Sequence, residues 1–152
     1  MILEYRRLRD DVIAPTRGNP SDAGLDVYWN PEDPNTSSIN IAPGDSVILA
    51  TGLQVGIPHG YMLQVMNRSS VAAKRHLVVG AHCVDSGYAG EIFINLHNIG
   101  RGMQVLERGT KISQVVMVPV VAFRPQEITE DPYRTAITIS DRGDGALGST
   151  GA

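Results

Sequence analysis

Short runs of period-two alternation, cut by turn residues, constrain this chain more than any other feature. Val47, Leu49, Thr51, Leu53, Val55 and Ile57 form one run; Tyr61, Leu63 and Val65 form a second, and Ile92, Ile94 and Leu96 a third. Residues two apart share one face of a strand, so each run predicts a half-buried β-strand. "APGD" at 42–45, "IPHG" at 57–60, "DSGYAG" at 85–90, "IGRG" at 99–102 and "ERGT" at 107–110 supply the turns, and "DSGYAG" reads as a hairpin. Many short strands joined by Gly/Pro turns define an all-β chain, a sandwich or jelly roll.

One segment breaks the pattern. "SSVAAKRH", residues 69–76, puts hydroxyls at a capping position ahead of good helix formers and predicts a helix of about two turns. "KISQVVMVPVVAF", 111–123, reads as a long strand, and the polar, proline-bearing stretch after it has no alternation. The expected organisation is therefore a jelly-roll body over 1–124 and a flexible C-terminal arm over 125–152. The arm ends in "DRGDGALGSTGA", whose glycines have much backbone entropy to lose and little surface to bury.

Composition narrows the function classes. With 152 residues, 42% hydrophobic and 19% charged, the chain has the make-up of a soluble globular domain, and no apolar run approaches the roughly 20 residues of a membrane helix. "MILEYRRLRDD" lacks an apolar core of signal-peptide length, which predicts a cytoplasmic protein with no membrane partner. A net charge of -3 argues against a nucleic-acid surface. Eleven of the 13 basic residues are arginine, compatible with a phosphate ligand. The single cysteine, Cys83, reads as a small buried hydrophobe.

Polar residues without an obvious structural role gather in five stretches, "SDAGLDVY" at 21–28, "NRSS" at 67–70, "GAHCVDSGYAGE" at 80–91, "GTKISQ" at 109–114 and the tail. Arg68 with Ser69 and Ser70 before a helix is either a simple cap or a seat for phosphate. Asp85 is either a turn residue accepting backbone N–H bonds or a base for water, and Tyr88 either packs or offers a flat face to a sugar. Asp26 by itself reads as a turn residue. The four histidines have no metal-ligand spacing, and there is no Gly-x-Ser-x-Gly elbow or P-loop.

Taken in this order, "AGLDVY", "RSS", "VDSGYAGEI", "GTKISQ" and "RGDGALGSTG" resemble the five motifs of the homotrimeric dUTPase family, within the dUTPase/dCTP deaminase superfamily, over residues 23–151. The resemblance implies a distorted, dUTPase-like β-clip jelly roll that trimerises, with sites at subunit interfaces drawing on all three chains. It implies hydrolysis of dUTP to dUMP and pyrophosphate with Mg2+, which limits uracil incorporation into DNA and supplies dUMP for dTMP synthesis. By the family pattern Asp85 activates water for attack on the α-phosphorus, and Gln114 lies near that phosphate and the water. Arg68, Ser69 and Ser70 hold phosphates, as do Arg142, Gly148, Ser149 and Thr150 in a tail that closes over the ligand. Ala81, His82, Val84, Tyr88 and Leu147 surround base and sugar. Asp26 supports the site around a metal reached through water, with magnesium held mainly by triphosphate oxygens.

Two departures touch the base. Ala146 and Leu147 stand where the family's fifth motif has Gly-Phe, so no aromatic ring covers uracil. His82 stands at a common glycine, and "AHCVD" is similar to the related dCTP deaminases. Asn95 and Ala73, however, occupy the positions of the deaminases' proton-shuttling glutamate and of an arginine. A dCTP-directed pyrophosphatase or deaminase, or a trimeric protein-binding regulatory module, are the alternative expectations.

Overall fold

The structure is a computed structural model and describes residues 1–129; Arg142, Leu147, Gly148, Ser149 and Thr150 lie outside them. Its strands are β1 (Glu4–Arg7), β2 (Leu25–Tyr28), β3 (Ser38–Ile41), β4 (Ser46–Gly56), β5 (Tyr61–Met66), β6 (Leu77–Val79), β7 (Cys83–Asp85), β8 (Glu91–Asn98), β9 (Gln104–Glu107) and β10 (Lys111–Pro119), and its helix is α1 (Ser69–Arg75). All pairings are antiparallel. They build two four-stranded sheets, β1-β4-β8-β6 and β2-β10-β5-β7, and a two-stranded sheet, β3-β9. This is the all-β jelly roll with one short helix that the alternation predicts.

The body over Met1–Val121 has one core. Leu49, Leu53 and Val55 of β4 and Ile92, Ile94 and Leu96 of β8 meet Val27 of β2, Leu63 and Val65 of β5, and Ile112 and Val115 of β10. β4 keeps its alternation through an irregularity opposite β8, where Ala50 pairs with Phe93 and Gln54 with Glu91. Gly52 supplies the turn there with φ +67°, and an added Cβ would run into Val12. Side chains clamp the exposed backbone groups. Glu91 Oε1 accepts the Gly52 N–H at 2.6 Å, and Thr51 Oγ1 donates to the Ile92 carbonyl at 2.6 Å.

The structure corrects four expectations. Residues 85–90 are not a hairpin: β8 has β4 and β6 on its two flanks, so β7 pairs with β5 and the turn carries the chain from one sheet to the other. Because β7 is an edge strand, Cys83 is exposed. The strand from Lys111 ends at Pro119, opposite Tyr61 where β5 begins, and after one last bond, Val120 N–H to Gly60 carbonyl at 2.8 Å, it has no partner left. The cap of α1 is Arg68, in extended conformation, with no side-chain cap bond; its carbonyl accepts the Val71 and Ala72 N–H groups, leaving Ser69 and Ser70 as the first helical residues.

Ser113 is fully buried, and among the described residues its hydroxyl has no hydrogen-bond partner. An orphaned buried hydroxyl costs about 1–3 kcal/mol. Ser113→Ala is therefore expected to raise stability by about 1 kcal/mol, read as a higher denaturation midpoint at unchanged slope.

Candidate active site

Three charged residues meet on the outer face of the sheet β2-β10-β5-β7. Asp26 is a strand residue rather than a turn residue, locked by reciprocal backbone bonds to Thr16. Its Oδ1 accepts Arg68 Nε at 2.7 Å and its Oδ2 accepts Lys111 Nζ at 2.8 Å, so both carboxylate oxygens hold a cation. The Asp26 hydrogen bond raises the Lys111 pKa above its ordinary value, so the ammonium stays charged at neutral pH. Lys111 Nζ also sits 5.7 Å from the centre of the Tyr28 ring.

A β-bulge makes this meeting possible. In a regular strand Lys111 and Gln114, three residues apart, point to opposite faces. Lys111 pairs with Tyr28 but Ser113 pairs with Val27, so Ile112 is an extra residue and the parity changes across it. Ile112 and Ser113 both turn inward, while Lys111, Gln114 and Asp26 share the outer face.

These side chains line a polar cavity of about 290 Å³ with Ser69, Ser70, Gly24, Gly18 and Asp22. Among the described residues Arg68 bonds Asp26 through Nε and its two terminal nitrogens have no side-chain partner. Gln114 donates Nε2 to the Asn67 carbonyl at 2.9 Å, and its side chain lies over Gly24, where any Cβ would collide with it. Asn67 is itself fixed, its Oδ1 accepting the Val79 N–H at 2.7 Å. Sequence reasoning missed Lys111, Asn67 and Gly24 as parts of this site. All three lie inside the quoted motif stretches, but only the bulge and the folded contacts single them out.

A second cavity, about 220 Å³, is lined by Cys83, Val84, Asp85, Tyr88, Glu91, Ile92 and Phe93. Among the described residues no backbone N–H donates to the Asp85 carboxylate. Its side-chain contact is the Cys83 thiol, 3.5 Å away, and its backbone carbonyl accepts the Tyr88 N–H. Contact with neighbouring atoms that shed water from the sulfur, followed by the hydrogen bond and charge of Asp85, raises the Cys83 pKa, so the thiol stays protonated at neutral pH. Tyr88 donates to the Glu91 carbonyl at 2.8 Å and its ring covers Gly90. Ala81 and His82 are exposed beside this cavity, and His82 Nδ1 lies 2.9 Å from the Val65 carbonyl. Since a carbonyl only accepts, Nδ1 is the donor in this contact.

The two cavities are far apart within one chain. Asp85 pairs with Met62 and Gln114 with Met66, on opposite flanks of β5. That separates them by about 13 Å along the strand and about 10 Å across it. One water molecule cannot touch both.

The antiparallel jelly roll with one short helix, a polar cavity lined by Arg68, Lys111 and two serines, and a turn carrying Asp85 and Tyr88 define the class of protein. Residues 10–151 match the dUTPase family model, and the chain belongs to the dUTPase family. It is 34% identical over 151 residues to the deoxyuridine 5'-triphosphate nucleotidohydrolase of Clostridium acetobutylicum, covering 98% of this chain and 96% of that one. A mutant dUTPase of Staphylococcus bacteriophage 80alpha, solved with dUpNHpp, superposes with a TM-score of 0.84 at 25% identity over 99% of each chain. A mutant dUTPase from phage phi11 of S. aureus, described for its coordination of a structural Mg(II) ion, has a TM-score of 0.75 at 24% identity and covers 86% of this chain and 98% of that one.

Proposed function

We propose that this protein hydrolyses dUTP to dUMP and pyrophosphate as a homotrimer with magnesium, in the cytoplasm. The family membership supports the reaction, and among the described residues no helix is long and apolar enough to cross a membrane. The observation that carries the assembly is the gap between Asp85 and the Gln114–Arg68 cavity. If both ends act on one α-phosphate, they must come from different copies of the chain.

In this reading the Asp85 carboxylate orients a water and takes its proton as the water oxygen bonds to the α-phosphorus. The bond from that phosphorus to the α,β-bridging oxygen breaks, pyrophosphate leaves with the bond's electrons, and the proton passes from Asp85 to solvent. Arg68, Ser69 and Ser70 of a neighbouring copy hold phosphate oxygens, and Gln114, anchored through Asn67, fixes the α-phosphate and the water. Tyr88 packs on the deoxyribose; Ala81, His82 and Val84 border the base. The arm over 125–152 brings Arg142, Gly148, Ser149 and Thr150 to the terminal phosphates and Leu147 over uracil.

Among the described residues no cluster of carboxylates, histidines or cysteines could cage a metal ion, and both Asp26 oxygens hold side-chain cations, so in this reading magnesium would be held by triphosphate oxygens and water. Bound to the triphosphate, the ion would neutralise charge that builds on the phosphates.

Asn95, the residue at the deaminases' glutamate position, is engaged elsewhere. Its Oδ1 lies 2.7 Å from His97 Nε2 and its Nδ2 donates to the Val47 carbonyl. This favours hydrolysis without deamination. Incubation with magnesium and, separately, dUTP, dCTP, dTTP and UTP is expected to give dUMP and pyrophosphate from dUTP as the dominant reaction. Absence of dUMP overturns the reading, and release of dUTP or dUMP from dCTP replaces it with deamination.

A further inference from the structure

We infer that Lys111 is a second polyphosphate-binding cation of this site, held on Asp26 in the free protein and transferred to the phosphate chain when a triphosphate enters. The inference rests on the phosphate-binding reading of the Arg68 cavity and adds to it a residue and an exchange of partners.

The geometry points to exchange rather than to a fixed structural ion pair. Arg68 and Lys111 meet one carboxylate from opposite sides, at 2.7 and 2.8 Å. Asp26 answers the two cations with a single carboxylate. Asp22 also lines the cavity, but its carboxylate is turned onto the Asn19 backbone N–H at 2.7 Å and the Asn19 amide, and the Arg17 guanidinium donates to its backbone carbonyl. Among the described residues the cations that line the cavity are thus Arg68 and Lys111.

The two differ in what they can give up. Arg68 is 25% exposed and bound through Nε, so it can grip phosphate with its terminal nitrogens without leaving Asp26. Lys111 is 36% exposed and carries a compact ammonium on a flexible stem whose three N–H groups rotate together. Its outer-face position is created by the bulge at Ile112, which aims it into the same cavity as Gln114 and the two serines. A triphosphate brings several negative charges against the single one of Asp26, so the ammonium gains by moving. Asp26 then keeps Arg68 in place, as a positioning residue. A monophosphate lacks the charge and reach to draw Lys111 away, so this residue discriminates by phosphate-chain length.

The test compares wild type with Lys111→Met and Lys111→Arg. Titration calorimetry uses inorganic tripolyphosphate, dUMP and a non-hydrolysable dUTP analogue, with thermal unfolding and kinetics alongside. Lys111→Met is expected to weaken tripolyphosphate and the analogue by about 10-fold or more, the scale of one lost charged hydrogen bond, and dUMP by less than about 2-fold. KM should rise with kcat nearly unchanged, the melting temperature should hold, and Lys111→Arg should restore most of the affinity. Unchanged tripolyphosphate affinity, equal losses for dUMP and the analogue, or a fall in melting temperature that Lys111→Arg does not reverse would each overturn the inference. Lys111-dependent tripolyphosphate binding in a protein that does not hydrolyse dUTP supports the inference and removes only the substrate assignment.

Discussion

Asp85→Asn is expected to lower kcat for dUTP by about 1,000-fold, within the range general-base catalysis contributes, while KM does not rise and the melting temperature is unchanged. Asparagine has the same shape but cannot accept the proton of the attacking water. Nothing in the fold depends on the charge: Asp85 is exposed, its side chain touches the Cys83 thiol, and the carbonyl that holds the Tyr88 N–H is backbone. Steady-state kinetics and thermal unfolding on one preparation decide the matter. A variant that keeps wild-type turnover sinks the assignment of Asp85 as the base.

The largest loss of stability is expected from Asn30→Ala, about 3 to 5 kcal/mol, or roughly 10 °C in melting temperature for a chain of this size. Asn30 is 2% exposed and acts as an internal staple. Its Nδ2 donates to the Thr51 carbonyl at 2.8 Å and the Tyr28 carbonyl at 3.3 Å, and its Oδ1 accepts the Ile13 N–H at 3.1 Å. Alanine would strand the buried Thr51 carbonyl, leave the part-buried Ile13 N–H without its acceptor and open a small void, each a separate cost. Chemical denaturation measures the change. A loss below about 1 kcal/mol would mean that the segment from Val12 to Ile13 relaxes or that water takes over these bonds.

Much of the fold was legible because its central strands are long enough to show a period. β4, β5 and β8 fall on the runs read from alternation, and α1 on the only stretch of uninterrupted helix formers. β1, β3, β6, β7 and β9 were not visible. They span three or four residues, and β1, "EYRR", has no buried side chain to mark a face. Asn30 was hidden for another reason: it opens the polar stretch "NPEDPNTSS" that reads as a surface loop, and only the neighbouring carbonyls show why it turns inward.

The site was legible as a set of motifs rather than as an arrangement. Composition could not choose between a capping serine and a phosphate ligand; the order of five motifs raised the second reading through family resemblance, and the structure puts Ser69 and Ser70 in the wall of the polar cavity. Lys111 escaped because strand parity sends it away from Gln114, and the bulge that reverses this leaves no mark in "GTKISQ". The fate of Cys83 depended on which strand β7 chose as neighbour, a long-range pairing that no local pattern encodes.

The bulge at Ile112 also bears on how this segment tolerates change. Deleting Ile112 or Ser113 would leave Lys111 and Gln114 two residues apart, opposite Tyr28 and Asp26 in a regular pleat, with the ammonium and the carboxamide still on one face. What the extra residue adds is an inward side chain: the core receives both Ile112 and Ser113 from a span where a regular strand, one residue shorter, would supply one.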